Sequence, residues 1–401
     1  MNDKLKMLIK IVVVLAVIVL VADLIYFIYN KNKNKIFFKS LNSYVLYNGN
    51  YYGVGSNNLN NKSKEQATLI KYNSNYREVW SKELNTKYNS AYFNVAKDGK
   101  YLLAVGSYEK TEDENKDVLR TALFVKYDSD GKVIFKKSYQ NLGNSKFVNV
   151  LVVDDGYIVV GQSIYPNDVL GNENTGGAIM IKYSKSGKLL WKKNIGGNKS
   201  GLYNAVIKSG KYLYVVGKDA TRYGIVVKYD LDGNVIKSVS YAKTDTSGFT
   251  DVVKVDNYLY VVGSRKNNLD DEYDHDHDAL IVKYDLDLNV VKEESYKESK
   301  NGIERFNKLI YDGKNLVVVG HTAILDKKNS TEKEYKYYYK GLINKYNLNL
   351  KLLNSKVYHN NNDDYFSDVK LINNNYLVSS YYKHFNNIYN TRFLSYSKDL
   401  K

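Results

Sequence analysis

The chain repeats one unit along almost its whole length, and a repeat of this size constrains the architecture before any single residue is weighed. The second halves of the units read Thr68-LIKYNSNYREVW, Ala122-LFVKYDSDGKVIF, Ala178-IMIKYSKSGKLLW, Gly224-IVVKYDLDGNVIK, Ala279-LIVKYDLDLNVVK and Gly341-LINKYNLNLKLLN, with a seventh at Arg392-FLSYSKDLK. Their Lys-Tyr pairs end on Tyr72, Tyr127, Tyr183, Tyr229, Tyr284 and Tyr346, with Ser395-Tyr396 in the last unit, at spacings of 46 to 62 residues. The first halves open on an aromatic with Val or Leu three residues on: Tyr92/Val95, Phe147/Val150, Tyr203/Val206, Phe249/Val252, Phe306/Leu309 and Phe366/Val369. A short turn follows, then an apolar strand closing on Gly106, Gly161, Gly217, Gly263 or Gly320; the first unit closes on Gly55 and the seventh has no such glycine.

Each unit is therefore four short strands rich in Val, Ile, Leu and Tyr, separated by Gly, Asp and Asn. Four antiparallel strands in about 50 residues make a propeller blade. The expected fold is all-β: a seven-bladed β-propeller of four-stranded antiparallel blades over residues 36–401. The seventh unit stops after its turn, and Lys35-IFFKS aligns with Lys132-VIFKK. Residues 36–41 are accordingly expected to complete blade 7 and close the ring, which removes exposed edges.

The unit from Ala178 to Gly217, AIMIKYSKSGKLLWKKNIGG followed by KYLYVVG, resembles the bacterial SBBP-type β-propeller repeat. That pattern is an apolar-Lys-Tyr-Asp strand, a Ser/Asp-Gly turn, a strand with Trp and a later Val-x-Gly strand. The likeness extends over nearly all of 36–401; Trp stands only at Trp80 and Trp191, and the aspartate before Ala only at Asp278. It implies the fold and a surface or exported setting, and it brings no catalytic residues.

Ahead of the repeats, residues 1–6 form a short tail, 7–29 an apolar stretch broken only by Lys10 and Asp23, and 30–35 a linker. At about 1.5 Å per residue, 7–29 is long enough to cross a roughly 30 Å hydrocarbon layer. A single-pass transmembrane anchor helix is expected there. A cleaved signal peptide is the rival, but Leu20-Val21-Ala22 lacks the small-x-small cleavage pattern. Lysines flank the segment almost evenly, so charge does not orient it; the propeller is expected outside the cytoplasm, at the cell membrane.

The formal net charge is +16, spread over turns and strand ends. A diffuse basic surface suits anionic membranes or envelope polymers, and without a clustered basic motif nucleic acid is not an expected partner. There is no cysteine, hence no disulfide and no thiol nucleophile. No nucleophile elbow, phosphate loop or zinc-protease helix is present, so no catalytic residue and no cofactor is assigned. Oligomeric state is not readable.

The connections within hairpins are short, whereas the other two per unit vary greatly, so all variability falls on one face, where recognition is expected. Aromatics that do not recur with the repeat stand there. Tyr335, Tyr337 and Tyr339 (with Tyr338) in the sixth unit and Tyr381, Tyr382 and Phe385 in the seventh are the candidate ligand-binding residues, suited to sugar rings or a protein partner; strand extension is the plainer explanation. His275 and His277 alternate with Asp274 and Asp276, a donor set that Zn²⁺, Ni²⁺ or Mn²⁺ accepts, or else a solvated acidic loop. The Asp-x-Asp-Gly turns lack the further ligands of a calcium loop and read as hairpin turns. The leading functional expectation is a binding or scaffold module for a protein partner or an envelope polymer. The alternative is a propeller hydrolase or lyase acting on envelope glycans.

Overall fold

The second and third strands of a unit are almost continuously apolar, as in Tyr101–Lys110 and Leu119–Tyr127, because both of their faces are packed. The fourth strands, such as Val133–Tyr139, alternate exposed and half-buried residues and carry lysines, as an outer edge requires. The computed structural model describes residues 38–58, 64–110, 119–139, 144–163, 177–195, 201–219, 221–243, 246–266, 277–298, 302–325, 337–358, 363–384 and 388–400.

The first sheet holds β1 (Phe38–Tyr47), β2 (Asn50–Asn58), β3 (Gln66–Tyr72) and β4 (Glu78–Glu83); the second β5 (Ser90–Asp98), β6 (Tyr101–Lys110), β7 (Leu119–Tyr127) and β8 (Val133–Tyr139). The third holds β9 (Ser145–Val153), β10 (Gly156–Ser163), β11 (Gly177–Ser184) and β12 (Leu189–Ile195); the fourth β13 (Leu202–Ser209), β14 (Tyr212–Lys218), β15 (Gly224–Asp230) and β16 (Val235–Tyr241). An eight-stranded sheet follows, formed by β17 (Ser247–Val255), β18 (Tyr258–Lys266), β19 (His277–Asp285), β20 (Val290–Tyr296), β21 (Ile303–Tyr311), β22 (Leu316–Leu325), β23 (Tyr337–Tyr346) and β24 (Leu352–Tyr358). The last sheet has three strands, β25 (Asp363–Ile372), β26 (Asn375–His384) and β27 (Ile388–Tyr396).

The first strands β1, β5, β9, β13, β17, β21 and β25 lie beside one another in that order, and β25 lies against β1. They surround a central axis. The core is divided into clusters between facing sheets, such as Val54, Leu69, Tyr92, Leu102 and Tyr127 between the first and second. This is a β-propeller.

Every first strand carries a bulge just after its repeat aromatic, or after Leu41 in β1. The extra residue reaches across to the neighbouring first strand. Asn42 Nδ2 donates to Tyr92 O at 2.6 Å, Asn204 Nδ2 to Phe249 O at 2.7 Å and Thr250 Oγ1 to Phe306 O at 2.7 Å. Asn307 Nδ2 donates to Phe366 O at 2.9 Å, and Ser367 Oγ returns to Leu41 O at 2.9 Å. Phe93 and Val148 hold the same position in β5 and β9 and have no donor to offer.

Three expectations are corrected here. The hydrogen bonding does not give seven separate four-stranded blades: five sheets have four strands or more, one of them the eight-stranded sheet, whose halves join at a parallel bridge between His277 and Ile303. Nor does residue stretch 36–41 complete the last sheet. From Phe38 onward it is the start of β1, paired with β2 from Phe38↔Asn58 to Tyr47↔Asn50. The reason is local. Asn48 and Gly49 both take positive φ (48° and 69°), a two-residue hairpin turn that pins β1 to β2, so the stretch runs into the first sheet and the last sheet has three strands. The ring closes by packing instead. Asp368 accepts from Ser43 Oγ at 2.9 Å and from Tyr44 N at 3.3 Å, and Tyr44 OH donates to Leu377 O at 2.5 Å. The expected fold class also included a transmembrane helix. The described residues contain no helix at all, hence none long and apolar enough to cross a membrane, and the span expected at 7–29 lies outside them.

Candidate functional site

The face with the short turns is committed to holding the sheets together. Five of the six repeated lysines find an oxygen there: Lys126 Nζ meets Tyr157 OH at 2.9 Å, Lys182 Asp155 at 2.7 Å, Lys228 Asp287 at 3.1 Å, Lys283 Leu348 O at 3.2 Å and Lys345 Lys398 O at 2.7 Å, while Lys71 lies 5.5 Å over the Tyr52 ring. The Asp-led turns are closed by their own backbone. Asp230 accepts from Asn234 N at 2.8 Å, Asn234 Nδ2 at 2.9 Å and Asp232 N at 3.0 Å, and these bonds, those of Asn234 first, hold its carboxyl below the ordinary range. They are hairpin turns, as expected.

The opposite face is different. First strands run inward from the variable connections, so the residue before each repeat aromatic stands near the axis at that end. In chain order these are Ser40, Ala91, Lys146, Leu202, Gly248, Arg305 and Tyr365. The repeated glycine within the second strand of the units before the last belongs to this geometry: a Cβ on Gly161 would lie 1.9 Å from Lys146 O, and one on Gly320 1.8 Å from Arg305 O. Only glycine lets the second strand approach the bulge so closely. In the last sheet the same register holds Ser380, whose hydroxyl donates to Asp364 at 3.0 Å.

Three of the axial positions carry chemistry. Tyr365 is cross-strand from Tyr381, and their rings stack at 4.8 Å and 9°. Tyr339 stacks on Tyr365 from the neighbouring sheet at 4.7 Å and 30°. His321, paired with Arg305, touches Tyr365 at 5.3 Å and Tyr339 at 5.7 Å between ring centres, with Asn307 Nδ2 3.4 Å from its Nδ1. Burial, followed by the charge of Arg305, lowers His321 to about 3, so its imidazole is neutral at physiological pH.

Arg305 is exposed by surface area, yet burial among surrounding protein pulls its guanidinium below the ordinary range. Lys146 is half-buried and lowered first by burial, then by the charges of Arg120 and Arg305. At the axial position before Lys146, that of Ala91, opens a cavity of about 470 Å³ lined also by Phe93, Asn89, Ser90, Glu109 and Arg120, with Arg120 Nε 3.6 Å from Glu109 Oε1. The mouth thus joins flat aromatic surface, a neutral imidazole and cationic side chains.

Of the expected ligand-binding residues, Tyr339 and Tyr381 come together in this cluster. Tyr337 and Tyr338 lie in β23 rather than in a loop, because the β22–β23 hairpin continues to the pair Leu325↔Tyr337. Tyr382 is in β26, paired with Asp364. Tyr335 and Phe385 lie outside the described residues, as do Asp274, His275 and Asp276 of the metal expectation. His277 opens β19, its N–H donating to Gly302 O at 3.3 Å. Among the described residues no group of three or more His, Cys, Asp or Glu is placed to hold a metal ion. Tyr365, Lys146 and Arg305 escape a reading of loops, since they belong to strands; the signal that finds them is a register position otherwise filled by Ser, Ala, Leu and Gly.

No protein-family model and no curated protein sequence matches the chain. Solved structures do. The polysaccharide lyase Uly1 superposes with a TM-score of 0.52 at 9% identity, over 88% of this chain and 89% of that one. A 6-phosphogluconolactonase candidate from Bacteroides fragilis NCTC 9343 gives 0.48 at 11%, over 88% and 97%. The β-propeller domain of the Trilobed protease from Pyrococcus furiosus gives 0.40 at 10%, over 77% and 83%. At such identities the likeness shows the β-propeller fold alone.

Proposed function

We propose that this protein is a binding module that engages a glycan polymer of the cell envelope through its variable-connection face, at the axial mouth. The observation that carries the reading is the continuous stack Tyr339–Tyr365–Tyr381 with the neutral His321 against it. Tyr365 is held between the other two rings, so an outer ring of the stack offers the flat apolar face to the C–H side of a sugar, and a neutral imidazole beside it offers a hydrogen bond without a charge to desolvate. The short-turn face has its lysines and carboxylates engaged with one another and with backbone, which leaves it less to offer a ligand. A setting outside the cytoplasm and kinship with SBBP-type repeats belong to the same proposal.

Calorimetric titration of the full chain with envelope polysaccharides tests it. Saturable binding that Tyr365→Ala or Tyr381→Ala weakens at least roughly tenfold supports the reading; binding indifferent to both substitutions contradicts it. The second reading, an enzyme acting on such glycans, draws on the same mouth, where a neutral imidazole, phenols and a cation meet. New reducing ends or unsaturated sugars appearing with the wild type and not with His321→Asn would move the assignment to catalysis.

A further inference from the structure

We infer that the sugar taken at the axial mouth is an acidic one, its carboxylate received between Lys146 and Arg305 while its ring lies against the Tyr365–Tyr381 stack. This rests on the reading of the mouth as a glycan-binding surface and narrows the ligand to a charge class.

The argument begins with what surrounds the two cations. Elsewhere near the axis and the rim, charge is matched. Lys308 pairs with Asp251 at 3.1 Å, Arg392 with Asp364 at 3.3 Å and Arg120 with Glu109 at 3.6 Å. Lys146 and Arg305 make no ion pair and no side-chain hydrogen bond among the described residues. Glu304 and Asp364, each one residue before an axial position, are buried and already engaged: Glu304 accepts from Thr322 Oγ1 at 2.8 Å, and Asp364 accepts from Ser380 Oγ and pairs with Arg392.

Two unmatched cations at one mouth repel each other, and an incoming anion relieves that repulsion. The guanidinium fork suits a planar carboxylate and the ammonium serves as a point charge beside it. The tyrosine stack then decides the kind of anion. A polyol phosphate has charge but no ring to lay on it, whereas a uronic acid carries its carboxylate on the ring itself. The adjoining cavity of about 470 Å³ is of a size that holds small ligands and gives the next sugar a place.

The test uses the full chain and three probes at low salt: an oligogalacturonate, the same oligomer with its carboxyls reduced, and a glycerol phosphate oligomer. The acidic oligomer is expected to bind roughly tenfold or more tighter than either of the others. Arg305→Gln and Lys146→Gln should each cut its affinity by roughly tenfold, with Arg305→Lys and Lys146→Arg restoring part of it. Both cations reach solvent, so the variants are expected to keep the wild-type melting midpoint. Equal binding of the reduced oligomer, or unchanged affinity in both Gln variants, overturns the inference and leaves the glycan reading standing if Tyr365→Ala still abolishes binding. Equal binding of the phosphate oligomer overturns it in favour of an anion site without ring recognition. Failure of all three probes removes the inference, and the broader reading falls with it only if neutral envelope polysaccharides also fail to bind.

Discussion

At the scale of single residues, the repeated glycine shows how backbone geometry reaches the site. Gly320 touches the bulge through backbone, so Gly320→Ala has no flexible side chain to push aside. Overpacking of this kind costs roughly 1–3 kcal/mol, and a lowered denaturation midpoint should accompany disturbed binding, because the displaced carbonyl is that of Arg305. An unchanged midpoint would mean the strands have slack at this register. His321 gives a pH signature. The folded state holds it neutral down to about 3 against an ordinary 6.5, while the unfolded chain takes up a proton below that ordinary value. Its contribution to stability is therefore complete above 6.5 and lost as pH falls towards 3. Wild type should lose stability between about pH 6.5 and pH 4, and His321→Asn should lose less over that range; parallel profiles would place the imidazole in a better solvated setting. The groups facing it are Arg305, Asn307, Tyr339 and Tyr365, of which only Arg305 carries charge in this range. These residues were only half legible in the sequence. Tyr339 and Tyr381 stood out by not recurring, whereas Lys146 and Arg305 were lost among 59 lysines and arginines, and only register singles them out.

At the scale of elements, neighbouring sheets trade volume at the outer turns. Gly131, Gly187 and Gly233 adopt positive φ of 79°, 82° and 76°, and a Cβ on them would meet Trp80, Phe135 and Trp191 of the preceding sheet at 2.9 to 3.1 Å. Where the preceding outer strand carries Lys237, Lys292 or Asn354 instead, the turn residue is Leu288, Leu350 or Leu400, buried and still at positive φ of 64°, 59° and 58°. The polar side chain then caps the turn: Lys237 Nζ donates to Asp287 O at 2.5 Å, Lys292 Nζ to Asn349 O at 2.9 Å and Asn354 Nδ2 to Asp399 O at 2.8 Å. A leucine in left-handed backbone costs about 1 kcal/mol, which burial of its side chain offsets. Gly233→Leu should therefore destabilise the protein by roughly 1–3 kcal/mol, and adding Trp191→Lys should recover part of the loss. Additive losses in the double variant would refute the exchange. The hairpins were legible because Gly and Asn mark their turns. The place of the first strand is not legible in the same way, because an apolar-Phe-Phe-Lys run fits an inner or an outer strand equally well; the Asn48-Gly49 turn that decides between them lies beyond it.

At the scale of the molecule, closure depends on a few buried bonds between chain segments far apart in sequence. Asp368 is fully buried and serves Ser43, Tyr44 and Lys370 at 2.9, 3.3 and 3.2 Å. Asp368→Ala would leave those donors unmatched, at a cost of roughly 3–5 kcal/mol, and hydrogen exchange should quicken first in β1, β25 and β26. Loss of protection spread evenly over all sheets would argue against a seam at that place. Closure also explains why a site exists: Lys146 and Arg305 belong to different sheets and share a mouth only if the first strands encircle one axis. A double-mutant cycle of Lys146→Gln and Arg305→Gln, read as affinity for an oligogalacturonate, measures that sharing directly. The closed ring with one carboxylate between the two cations predicts losses that depart from additivity by about 0.5 kcal/mol or more, whereas strictly additive losses would mean that the two side chains do not meet one ligand.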